Sequence, residues 1–120
     1  ADFDNDGDID ILVNALNEPP HLLRNDGGNR LNWLKVVPLR ADTGAVAIGA
    51  TVTVKANGMT MIQPVIGVNG YLTCSDPRPN FGLGKAAKAE LVEIVWPNRQ
   101  KTVLNDVQAN QILKITQGKQ

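Results

Sequence analysis

Residues 89–96, AELVEIVW, place Leu91, Glu93 and Val95 on one side and Val92, Ile94 and Trp96 on the other, the two-residue period of a half-buried strand. Further strand-like runs follow at NWLKVVPL (32–39), ATVTVKA (50–56), MTMIQPVI (59–66), QKTVL (100–104) and QILKIT (111–116). Asn57-Gly58 lies between two of them and predicts a tight hairpin, because both residues tolerate positive φ. Pro97-Asn98 predicts a second turn between strands, and NDVQAN (105–110) a short helical turn or loop. No window keeps a helical period beyond about ten residues. The pattern predicts an all-β domain over 31–117, a β-sandwich or partly closed barrel, with 118–120 as a tail.

The first thirty residues read differently. IDILVN (9–14) and HLLRN (21–25) are two short strands separated by ALNEPP, and the turn cluster NDGGN (25–29) is the expected boundary. Two strands cannot bury a face by themselves, so this pair is expected to need neighbours.

Composition narrows the classes. The chain of 120 residues is 42% apolar and 20% charged, the profile of one ordinary globular domain. No apolar run reaches the length of a membrane-spanning helix, and no basic-then-apolar leader is visible, so any export signal is expected to be removed or to lie upstream. Twelve acids balance twelve bases, which gives no reason to expect a nucleic-acid partner. Cys74 stands alone, so neither an internal disulfide nor a cysteine-based zinc site is expected.

Charge is distributed unevenly, however. Residues 2–10, DFDNDGDID, carry five aspartates at alternate positions and no base. Carboxylates this close repel, and a hard divalent cation is what relieves them. Counting Asp2 as the first position, Asp4 and Asp6 fall third and fifth, Gly7 sixth, Asp8 seventh and Asp10 ninth, the opening of a calcium loop. Asp2, Asp4, Asp6 and Asp10 are expected to offer side-chain oxygens and Asp8 its backbone carbonyl, with Gly7 making the sharp turn. An EF-hand would need Glu at the twelfth position, where Val13 stands inside an apolar strand. Magnesium fits less well, since it demands octahedral geometry and keeps its waters, and a solvated acidic turn is the bland alternative.

These residues carry a resemblance. DFDNDGDIDILVN with LLRNDGG resembles the calcium-loop repeat of FG-GAP or VCBS type, the blade unit of integrin-like β-propellers. The ordered set IGA, GYL, DPR, FGLG, WP and NQ resembles the ASPIC/UnbV domain, which follows such repeats in secreted proteins. The resemblance implies a half-blade over 1–30, an ASPIC/UnbV-like β domain over 31–117, and an extracellular or cell-surface binding or adhesion module without catalysis. A propeller closes from several four-stranded blades, so the strand pair is expected to be completed elsewhere: by a longer chain, by its own sandwich or by a neighbour. Related domains often carry histidine before FGLG and glycine after WP, where this chain has Asn80 and Asn98-Arg99.

Other candidates have plainer readings. His21 and Cys74 could form a nucleophile pair, but nothing in the sequence places them together, and Cys74 reads as a small buried residue or an unpaired loop thiol. Residues 67–84 form a long irregular segment, read as a rigid corner anchored by Tyr71 and Phe81 or as a functional surface. Trp33 and Trp96 are expected in the core, with a sugar-stacking platform as the sharper alternative. FGLG lacks the lysine-serine pair of a phosphate loop. Three functions are therefore weighed. The first is a calcium-stabilised module that binds an unknown protein or glycan. The second is a homo-oligomeric or filament-forming extracellular subunit completed by strand pairing between copies. The third and weakest is a fragment of a polysaccharide-acting enzyme, for which the seven acids outside the loop supply no evident carboxylate pair.

Overall fold

The structure, a computed structural model, describes residues 1–68 and 70–118. Lys119 and Gln120 of the expected tail lie outside the described residues. The chain runs β1 (Ile11–Val13), β2 (His21–Leu23), a 3-10 turn (Gly28–Arg30), β3 (Asn32–Leu39), β4 (Thr51–Ala56), β5 (Met59–Pro64), β6 (Asn80–Gly84), β7 (Lys88–Val95), β8 (Lys101–Gln108) and β9 (Gln111–Thr116). These strands form three sheets, none closed into a barrel: β1-β2, β6-β3-β9 and β5-β4-β7-β8. The all-β sandwich expectation holds.

The core lies between the three-stranded and four-stranded sheets. Alternation decides most of the residues that enter it: Val52, Val54 and Ala56 from β4 and Val92 and Ile94 from β7 meet Leu34 and Val36 from β3 and Phe81 and Leu83 from β6, and Ala89 joins them across a break in the β7 alternation. β3 is the centre of its sheet, antiparallel to β6 and parallel to β9, and is buried on both faces. Its second face, which includes Lys35, is covered by the acidic loop, as the contacts below show. Asn57 and Gly58 join β4 to β5 at φ 51° and 72°, the backbone of a type I′ turn. The turn after Trp96 closes through Trp96 N–H to the Gln100 carbonyl and Arg99 N–H to the Trp96 carbonyl, with Arg99 at φ 67°.

Two expectations are corrected. Residues 105–108 belong to β8 rather than to a helical turn, because pairing with β7 continues to Lys88↔Gln108. The segment 67–84 is not irregular throughout: its last five residues are β6, paired with β3. Phe81 is buried there, whereas Tyr71 is 90% exposed and anchors nothing.

β1 and β2 form an antiparallel ribbon with all six residues exposed, including Ile11, Leu12, Val13, Leu22 and Leu23.

Candidate metal centre and its anchor to the sandwich

Alternate aspartates build the acidic loop by capping their own backbone. Asp4 Oδ1 accepts the Asp6 amide at 3.4 Å and Asp6 Oδ1 the Asp8 amide at 3.2 Å, the local turn that short acidic side chains favour. Asp2 Oδ2 accepts the Gly7 amide across the loop at 3.2 Å, and the Asp10 amide donates to the Ala1 carbonyl at 2.8 Å. Gly7 sits at φ 102°, and a Cβ there would fall 2.0 Å from the Trp33 indole. Both the turn and the ring beneath it therefore require glycine.

The segment 25–29 clasps this loop. Asn25 N–H donates to Asp10 Oδ1 at 2.9 Å, Gly28 N–H to Asp8 Oδ2 at 3.1 Å, and Asn29 Nδ2 to the Asp6 carbonyl at 3.1 Å. With the Phe3 amide on Oδ2, the Asn25 amide holds the Asp10 carboxyl below the usual carboxylate range. Asp4 and Asp8 shift the other way: loss of water raises both, and the Asp6 charge adds to the rise. The loop thus carries repulsion that its own hydrogen bonds leave unrelieved.

Asp2, Asp4 and Asp10 bring one ligand oxygen each within 4.8 Å of one another. Asp6 and Asp8 stand outside that group: Asp6 is half-buried, and Asp8 turns its carboxylate to Gly28. Asp2 is buried, and its Oδ1 has no hydrogen-bond partner. An orphaned buried carboxylate oxygen among hard oxygen donors fits a calcium ion, which takes oxygen ligands in flexible geometry.

The other oxygen of Asp2 ties the loop to the sandwich. Lys35 Nζ, fully buried, lies 2.5 Å from Asp2 Oδ2 and 3.8 Å from Asp76 Oδ2. Arg78 grips Asp76 with Nε to Oδ1 at 2.8 Å and Nη2 to Oδ2 at 2.6 Å, then reaches Asn5 Oδ1 with Nη1 at 3.0 Å. Burial pushes the Asp76 carboxyl up, but the Arg78 hydrogen bonds outweigh it and hold the group below its ordinary value. Lys35, Asp76 and Arg78 escape a motif search of the acidic loop. The available signals are a lysine inside the apolar run NWLKVVPL and the DPR triplet, whose spacing lets arginine fold back on aspartate across proline.

The remaining candidates separate. His21 is exposed beside Glu18 at 3.9 Å, and Cys74 is an exposed thiol near the Gly67 and Ser75 carbonyls. The nucleophile pair that the sequence left open, and did not favour, is not formed: each side chain has other neighbours. Trp96 is in the core, with Nε1 donating to Thr102 at 2.8 Å. Trp33 is only half-buried, against the expectation of a core residue, and Asn110 holds its backbone from both sides.

Residues 42–120 match the family described as ASPIC and UnbV. The chain belongs to that family. Its ASPIC/UnbV match begins after β3, yet β3 is the centre of the three-stranded sheet, so the folded unit extends beyond the matched residues. The chain is 36% identical over 122 residues to cartilage acidic protein 1 of Homo sapiens, covering 96% of the chain and 18% of the relative. It is 37% identical over 103 residues to cartilage acidic protein 1 of Mus musculus, covering 82% of the chain and 16% of the relative. This ASPIC/UnbV chain therefore spans less than a fifth of the length of the curated relatives it matches. Among the described residues, no helix is long and apolar enough to cross a membrane.

Proposed function

We propose that this chain is a calcium-stabilised extracellular β module for binding or adhesion, in which the metal is structural rather than catalytic. One observation carries the reading: Asp2, Asp4 and Asp10 converge within 4.8 Å while Asp2 Oδ1 is buried without a partner. Calcium at that point would take oxygens of Asp2, Asp4 and Asp10, with Asp6 and the Asp8 carbonyl completing the set. It would fix the path of residues 2–10 into β1. The loop leading directly into the β1–β2 ribbon supports assigning 1–30 to an FG-GAP or VCBS type repeat. Extracellular location is supported by similarity to cartilage acidic protein 1, whose name places it in cartilage.

Thermal melting tests the metal. Excess calcium is expected to raise the melting temperature over the EDTA-treated chain, as any ligand of the native state does. Equal melting temperatures, with no calcium bound by calorimetry, would remove the reading.

A second reading rests on the exposed ribbon. β1 and β2 present five large apolar side chains and two free edges, a surface that another copy could extend by strand pairing. Self-assembly predicts a mass that rises with concentration in light scattering; a constant monomeric mass overturns it.

A further inference from the structure

Lys35 falls on the face of β3 turned away from the core, between Leu34 and Val36, which enter it. A fully buried ammonium is costly unless a carboxylate neutralises it, so its partners explain why a lysine stands there. It meets two. Asp76 lies 3.8 Å from Lys35 Nζ and is already neutralised by Arg78, through Nε to Oδ1 at 2.8 Å and Nη2 to Oδ2 at 2.6 Å. Asp2 lies closer, at 2.5 Å, and has no other ion-pair partner among the described residues. The charge of Lys35 is therefore directed at Asp2.

Of the ion pairs formed by the described residues, this one alone involves a carboxylate of the acidic loop. Arg78 reaches the loop without taking a carboxylate from it: Nη1 donates to Asn5 Oδ1 at 3.0 Å and Nη2 to the Asp2 carbonyl at 3.4 Å. Asp2 Oδ2 accepts both Lys35 Nζ and the Gly7 amide, so the same contact holds the turn of the loop. Two consequences of opposite sign follow. The ammonium offsets part of the repulsion among Asp2, Asp4 and Asp10, which keeps the loop in shape before an ion binds. Once an ion is bound, ammonium and ion act on one carboxylate, and their mutual repulsion lowers the affinity that the carboxylates would otherwise give.

We propose that Lys35 sets the calcium affinity of the acidic loop. It supplies part of the positive charge itself, so the ion is held weakly enough to exchange by a loop that keeps its shape without it. The role rests on the metal reading above and adds the regulation of that site. A neutral residue at position 35 makes the ion-free chain less stable and the ion more tightly bound. A residue that merely packed the loop against β3 would, when replaced, weaken both.

Calorimetric titration of calcium into the chain, beside urea unfolding without calcium, tests this. Lys35→Gln keeps a hydrogen-bond donor and removes the charge, and Lys35→Met removes both. Each is expected to bind calcium at least ~10-fold more tightly than the parent while its ion-free stability falls. Ile94→Ala, destabilised in the core, should gain no affinity, which separates the charge from a general loss of stability. For a variant that folds only with calcium, the rise of melting temperature with calcium concentration reads the affinity instead. The proposal is overturned if neither Lys35 variant binds calcium more tightly than the parent, or if Ile94→Ala gains as much as they do. No calcium binding by the parent or by either variant removes the metal reading and this role together; binding by the parent that neither variant tightens removes the role alone.

Discussion

Leu34, Lys35 and Val36 are consecutive in β3, yet they belong to two regions held by different physics. Leu34 and Val36 join an apolar core in which sheets interlock by volume, whereas Lys35 meets Asp2 of the acidic loop. The sandwich loses stability in proportion to the atoms removed from it. The loop depends instead on directed hydrogen bonds and on charge balance, where removing one partner strands the other. A single strand buried on both faces lets the loop dock on the sandwich without sharing its core.

Lys35→Met tests that division most severely. It leaves Asp2 buried and unneutralised, and breaking a buried pair costs about 3–5 kcal/mol, which urea unfolding without calcium would read. Calcium should return part of the loss. A change under 1 kcal/mol would show that the pair does not anchor the loop.

Ile94→Ala acts in the other region, on a fully buried residue of β7. It should lower stability by about 2–5 kcal/mol while leaving the increment gained from calcium as in the parent chain. Loss of that increment would mean the two regions are not separable.

Gly7→Ala strikes where loop and sandwich touch, placing a methyl group 2.0 Å from Trp33 at φ 102°. Strain of this kind costs about 1–3 kcal/mol, and calorimetry should find calcium affinity reduced beyond what the conservative change in polarity explains.

Acid should divide the carboxylates by the sign of their shifts. Asp4 and Asp8 are raised, so the calcium-free native loop takes up protons more readily than the unfolded chain; stability rises as pH falls from neutrality through those values, and calcium affinity falls. Asp10 and Asp76 are lowered, so the stability they give is present above the ordinary carboxylate range and is lost as pH falls through their folded values. Melting temperature and calcium affinity followed from neutral pH to about pH 3 check both arms.

The smallest effect belongs to the turn after Trp96. Arg99 holds φ 67°, which glycine adopts without penalty, so Arg99→Gly should raise stability by about 0.5–1 kcal/mol and leave calcium binding unchanged.

Much of the fold was legible because its signals are local. Alternation marked β7, strand-like runs marked β3, β4, β5 and β9, and Asn57-Gly58 supplied the positive φ of the β4–β5 hairpin. The extension of β8 through Asp106 was not legible, since its polar residues read as a turn until pairing with β7 satisfied their backbone. In the candidate site, alternate spacing announced all five aspartates, but spacing alone could not say which carboxylates converge. Asp8 was drawn away by an amide twenty residues along the chain, and Lys35 arrived from a strand that looks purely structural.

The sequence by itself determined most of the strands, though not β6 or the end of β8, together with the tight turns and an acidic loop whose aspartates cap each other two residues apart, because these depend on side-chain period and on contacts between near neighbours. Only the tertiary structure decided that β3 and β9 run parallel, that Lys35 faces Asp2, and that Gly82 stands opposite Trp33. Each of those pairings joins residues more than thirty positions apart, and register between distant strands is fixed by packing two sheets together rather than by any local preference.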